Sequence, residues 1–157
     1  MLPRTIPLIL AILSLATPLH AQSVADGLIV LSSPHSATET MDRLEIALGT
    51  RDIAHMRWNH SARAAEVDIP VRPTELMLFG NPALGSHLFT SRQTAGIDLP
   101  LKALAWEDAD GKVWFAYNDP AWIAARHGID DRGEVISRMT GVLEMLGGIA
   151  TGEGPAQ

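Results

Sequence analysis

The chain has 157 residues, a formal net charge of −6 and no cysteine. That length supports one core burying roughly two-thirds of the unfolded surface, and the missing cysteines exclude disulfides, thiolate metal sites, a cysteine nucleophile and a lipid-bearing N-terminal cysteine. Acidic and basic residues are mixed without a basic block, which argues against nucleic-acid binding, because neutralising phosphates takes a basic face.

The first 21 residues read as a secretory signal peptide. Arg4 precedes an apolar run from Ile6 to Leu15, Pro18 breaks it, and Leu19-His20-Ala21 offers a cleavage site before Gln22. The run is shorter than the roughly 20 residues that a bilayer span needs. The expectation is a periplasmic or secreted protein with no stable membrane anchor after cleavage. Residues 22–148 then form a single domain, and residues 149–157, after Gly147-Gly148, a disordered tail.

Gly27 to Leu31 is an apolar run that predicts a first strand, ended by Ser32-Ser33-Pro34. Ser36 caps a helix with Glu39 three residues on to reach back. Ala37, Met41, Leu44 and Leu48 recur at helical spacing until Gly49 stops it. From Ile53 to His60 a weak alternation predicts a strand, with Ala54, Met56, Trp58 and His60 on an inward face and His55, Arg57 and Asn59 on the other. Leu76 to Phe79 is a short strand, and Asn81-Pro82 starts a helix through about Gln93. Leu101 to Trp106 and Lys112 to Tyr117 flank a turn ending in Asp110-Gly111, the mark of a tight hairpin. Asp119-Pro120 repeats the cap-then-proline device for a helix ended by Gly128, and Val135, Met139, Val142 and Leu146 mark a last helix over about Asp131 to Leu146. Together these predict an α+β two-layer sandwich: a mostly antiparallel sheet of about five strands with helices on one face.

Arg72-Pro73-Thr74-Glu75, Phe79-Gly80-Asn81-Pro82, Asp98-Leu99-Pro100 and Tyr117-Asn118-Asp119-Pro120 occur in that order. In these motifs the stretch from about Gly27 to Gly128 resembles the domain of unknown function 302 family. The resemblance implies a TATA-binding-protein-like two-layer fold of one strand, a helix, four more strands and a helix. It implies nothing about nucleic acid, since function lives in sites and not in architectures. The family pattern has a histidine near the end of the second strand, usually after an acidic residue. His60 occupies that place here, but Asn59 precedes it.

His60 is therefore the first candidate for ligand binding or proton transfer, against the alternative of a core histidine with one hydrogen bond. His55 and His60 leave opposite strand faces and cannot chelate one ion together without a bulge, while His87 and His127 sit on other elements. No zinc-protease motif is present, and copper or zinc are the ions that imidazole and methionine thioether would favour. The junctions at Asn81 and Asp119 set polar side chains beside unpaired helical N–H groups, where carboxylates or phosphates can bind; plain capping explains both residues too. Asp119 would repel an anion, which makes the Asn81 end the better anion candidate. Ser86-His87 is adjacent on a helix with its side chains about 100° apart, no Gly-x-Ser-x-Gly elbow or P-loop occurs, and the carboxylates are scattered.

The leading expectation is an exported small binding or accessory domain that holds an unidentified ligand near His60, Asn81, Tyr117 and Asn118. Two alternatives stay open: a periplasmic copper- or zinc-binding protein, and an enzyme using His60 as general base. No cofactor is named by the sequence, and an exposed sheet face or edge would serve a homodimer.

Overall fold

Five strands form one antiparallel sheet in the order β1-β5-β4-β3-β2: β1 (Leu28–Ser33), β2 (Ala54–Asn59), β3 (Thr74–Gly80), β4 (Leu101–Glu107) and β5 (Val113–Asn118). The helices are α1 (Ala37–Gly49), α2 (His60–Ala65), α3 (Pro82–Ser91), α4 (Pro120–His127) and α5 (Gly133–Thr151), with a 3₁₀ turn at Gln93–Ile97. This computed structural model describes residues 26–152. The expected signal peptide, residues 1–21, and the chain after Gly152 lie outside the described residues.

Strand alternation sorts the side chains onto two faces. On β3, Glu75, Met77 and Phe79 are buried while Leu76 and Leu78 are half-buried. Register carries the buried set across the sheet: Met77 lies opposite Ala103 and Glu75 opposite Ala105, and these lie opposite Tyr117 and Phe115. Met41, Leu44 and Leu48 of α1 and Met139, Leu143 and Leu146 of α5 close over this face as one core. Each such side chain contributes about 1.5–3 kcal/mol when fully buried, so packing holds the helices where propensity alone would not. The α+β two-layer sandwich expected from the pattern is the fold observed.

Among the described residues, the other face carries no helix of comparable size, although Val30 and Ala116 on it are buried, 2% and 3% exposed. Its central row runs across all five strands as Val30, Ala116, Leu104, Leu76 and Trp58. A second row holds Ser32, Trp114, Trp106 and Thr74, and a third has Leu28 opposite Asn118, then Lys102, Leu78 and Met56 in register. Here the expectation for β2 is reversed. Met56 and Trp58 lie on the bare face, 55% and 41% exposed, whereas Arg57 points under α1 to Glu75, Asp42 and Glu45. An arginine that finds three carboxylates outweighs the apolar preference of its neighbours.

Helix ends follow their caps. Ser36 Oγ accepts from Glu39 N at 3.1 Å, Asn81 Oδ1 from Ala83 N at 2.9 Å and Asp119 Oδ1 from Ala121 N at 2.9 Å. Gly128 ends α4 at φ 64°. The Glu39 carboxylate goes to His35 Nδ1 at 2.9 Å. Helix α2 was not expected: Asn59 Oδ1 accepts from Ala62 N at 2.7 Å and so starts a helix where the pattern still read as strand.

The last helix does not stop at Leu146 but runs through Gly147-Gly148 to Thr151, so the expected tail at 149–157 begins inside α5. Gly147 marks a close approach rather than a break, since a Cβ there would sit 2.9 Å from Leu31 Cδ1 and 3.4 Å from Tyr117 Cε1. At the far end Arg43 Nε donates to the carbonyls of Ile149 at 3.0 Å and Ala150 at 3.2 Å, satisfying acceptors that the helix leaves open. Replacing Gly147 with leucine is expected to lower the unfolding free energy in urea by about 1–3 kcal/mol through overpacking. Gly147→Ala should stay close to wild type, because the terminal methyl of Leu31 can swing aside.

Candidate functional site

An apolar cleft of about 600 Å³ opens at the end of the sheet where β2, β3 and β4 meet α3. The turn from β3 into α3 builds its floor: Phe79 belongs to the core, Gly80 passes Pro100, and Asn81 caps α3. Leu84, Gly85 and Phe89 of α3 form one wall, and Leu99, Pro100, Leu101 and Met139 another. Ala54, Met56 and Leu78 complete the rim from the bare face of the sheet. Polar groups are few among the lining residues, namely His55, Asn81 and Ser86. His55 is held by its Nδ1 at 2.8 Å from the Ile53 carbonyl, with Nε2 3.9 Å from Glu45.

This composition selects against anions. Pro82 has no N–H, Ala83 N donates to Asn81 Oδ1, and Leu84 N and Gly85 N donate to the Asn81 carbonyl at 3.0 and 2.9 Å. The first turn of α3 therefore offers no spare donor, and the anion-site expectation at Asn81 gives way to capping. The cleft can instead take a neutral, largely apolar molecule with a hydrogen-bonding group near Asn81, Ser86 or His55.

The four site residues expected from the sequence do not converge. Asn81 alone lines the cleft. His60 starts α2 beyond the far end of the β2–β3 ladder, where Asn59 faces Glu75 while Ala54 faces Gly80. Five residues at about 3.4 Å each separate the two ends by roughly 17 Å. Asn59 answers for the acidic position that precedes the histidine, since its side chain caps α2 through Ala62 N and accepts from Ser61 Oγ at 2.9 Å. Tyr117 faces the helices and Asn118 the opposite side of the sheet. Burial pushes the Tyr117 phenol up to about 12, with the charges of Glu144 and Asp119 adding to the shift. Among the described residues, no three His, Asp or Glu side chains gather where one metal ion could touch them.

Two polar clusters escaped the sequence reading. In one, Glu75 is 3% exposed and accepts from Thr38 Oγ1 at 2.6 Å and Arg57 Nε at 2.7 Å. Arg57 also reaches Asp42, Glu45 and the Thr38 carbonyl. Burial alone would lower its pKa, but the hydrogen bonds of Asp42, Glu75 and Glu45 and the charge of Glu75 outweigh that and raise it. In the other, Asp98 holds Arg126 Nη1 at 3.0 Å and His127 Nε2 at 2.7 Å, and His127 Nδ1 lies 3.1 Å from Thr94 Oγ1. The hydroxyl, imidazole and carboxylate form a line, yet none of them lines the apolar cleft. This cluster fastens the 3₁₀ turn to α4. Glu75 and Asp98 stand in the Arg-Pro-Thr-Glu and Asp-Leu-Pro motifs, so those motifs were the available signal; Arg57 and His127 carried none.

Helices on one face of a five-stranded antiparallel sheet, in the order strand, helix, strands, closing helices, define a two-layer α+β domain. The chain belongs to the family described as Domain of unknown function DUF302, whose sequence profile matches residues 29–146. A crystal structure of an uncharacterized conserved DUF302 protein from Bacillus stearothermophilus superposes with a TM-score of 0.70 at 15% identity, over 80% of this chain and 99% of that one. It shares the fold. The chain is also 42% identical over 113 residues to proteins named fluoride-specific ion channel FluC 1 from Brucella suis biovar 1 (strain 1330) and Brucella abortus biovar 1 (strain 9-941). The match takes 71% of this chain but 44% and 42% of those proteins, so the chain spans less than half the length of these curated relatives.

Arg57→Met should destabilise the domain in urea by about 3 kcal/mol, the lower end for stranding one partner of a buried pair, since the arginine side chain is 21% exposed. Adding Glu75→Gln to that variant should restore a large part of the loss by removing the stranded charge.

Proposed function

We propose that this chain is an exported binding or accessory domain that takes a small, neutral, mostly apolar molecule in the cleft beside α3. One observation carries the reading: a cleft of about 600 Å³ whose walls are almost wholly apolar and whose few polar lining residues are Asn81, Ser86 and His55. Sites for small organic ligands have this size and balance. The cation-poor lining and the saturated first turn of α3 speak for a neutral ligand over a carboxylate or phosphate. Binding needs no catalytic set, and His60 stands too far from the cleft to act as general base on a molecule held there. The apolar run at residues 6–15 and the Ala21 site support export, with a mature chain starting at Gln22.

Gly85 offers a clean test. It lies on α3 in the cleft wall, and a Cβ there would meet only Leu99 Cδ1 at 4.0 Å, so leucine would fill the cleft without straining the helix. The neutral fluorophore N-phenylnaphthylamine should brighten with the wild-type protein and saturate. Gly85→Leu should weaken that binding by about tenfold or more while the melting temperature holds or rises. Equal binding by the two proteins would refute the cleft as the site.

A second reading rests on the two Brucella proteins. They carry the name of a fluoride channel, and this chain matches less than half of each. No helix among the described residues is long and apolar enough to cross a membrane. On this reading the domain serves the channel as an attached, non-conducting part. Deleting the matching segment from the Brucella suis protein should leave a liposome fluoride flux that differs in rate or regulation from the full-length protein. Identical flux would count against an accessory role in transport.

A further inference from the structure

We propose that the bare face of the sheet is covered by a second copy of this chain, sheet against sheet. Trp58, Trp106 and Trp114, three of the four tryptophans, lie on that face, and Trp58 is 41% exposed. Solvent-facing strands ordinarily carry polar side chains there. The three rows contain no carboxylate, although the chain as a whole carries a net charge of −6. Their one cation, Lys102, folds its ammonium back onto the carbonyls of Asp98 at 3.0 Å and Pro100 at 3.2 Å.

Shape and symmetry favour a second copy over other occupants. Five strands about 4.8 Å apart and six residues about 3.4 Å each give a face of roughly 24 by 20 Å. That is roughly 480 Å² in projection, at the small end beside the ~800 Å² per partner found in stable interfaces. A twisted sheet is matched by another of the same twist, packed at about −30° with the sheets about 10 Å apart. Leu104 lies in the central row of the central strand, where a two-fold axis between the sheets would set it against its own mate. The charges at its margin are engaged within the chain: Arg63 stacks 5.0 Å from the Trp58 ring centroid and donates to Glu66 at 2.9 Å, and Asp108 accepts from Trp114 Nε1 at 2.7 Å, which leaves little free charge for a basic protein or an anionic membrane. Ser32 and Thr74 supply a polar rim at the ends of their row.

Sedimentation equilibrium of the mature chain at micromolar concentration should give a dimer. Leu104→Glu sets a carboxylate at the centre and should raise the dissociation constant by about 100-fold or more, whereas Ile46→Glu, on the helical side and 67% exposed, should leave it unchanged. Circular dichroism reports whether Leu104→Glu folds. If it does not, Trp58→Glu, already exposed at the sheet edge, takes its place and should give the same monomer. A wild-type protein that stays monomeric at 100 times that concentration overturns the proposal. So does a dimer that both face variants leave intact, or a monomer that sediments with neutral phosphatidylcholine vesicles, which would assign the face to lipid. Probe binding in the cleft is read separately through Gly85→Leu, so failure of one proposal does not mimic failure of the other.

Discussion

The burial of one sheet face under α1 and α5 is the constraint from which the remaining structure follows. Alternation gives each strand two sides, and once Met77, Phe79, Ala103, Ala105, Phe115 and Tyr117 turn to the helices, the rows on the opposite side are fixed as well. Small residues on the inner face let the helices come close. Ala103 and Ala105 occupy the central strand, and Gly147 removes the last atoms between α5 and the strand pair β1–β5. Arg57 and Glu75 belong to the same inner face, so their ion pair is a polar inclusion in the helical layer and not a surface decoration.

The parts of the fold legible in the sequence were those with local causes. Ser36, Asn81, Asp119 and Gly128 act on backbone groups within a few residues of themselves, and all four ends lie where the chain's own chemistry puts them. The reversed face of β2 has a nonlocal cause. Met56 and Trp58 look like core residues and Arg57 like a solvent residue until the partners of Arg57, on α1 and β3, are known. The extension of α5 past Gly147-Gly148 is similar: two glycines read as a stop, but the first is there to admit Leu31 and Tyr117 and the helix end is held by Arg43, more than a hundred residues earlier. Of the site residues, Asn81 was found through its capping pattern, which also placed it at the cleft. His60, Tyr117 and Asn118 were grouped by their nearness to strand ends, and register sent them to different ends and faces.

The motifs that mark the DUF302 family are explained here by architecture. Glu75 anchors Arg57 and Thr38, Asp98 joins the 3₁₀ turn to α4, and Asn81 and Asp119 start helices. The same motifs also supply Phe79, Gly80, Asn81, Pro82, Leu99 and Pro100 to the cleft lining, so family residues build its floor and part of its wall as well as holding the domain together. Leu84, Gly85 and Phe89 belong to none of those motifs, although they form one wall of the cleft.

Met56 and Leu78 stand on the bare face and also on the rim of the cleft. A partner on that face would touch the same two side chains that a molecule in the cleft would touch. Any coupling between the two through these side chains would be reciprocal by thermodynamic necessity. If both proposals hold, that pair of hydrophobic side chains is the contact the two surfaces have in common.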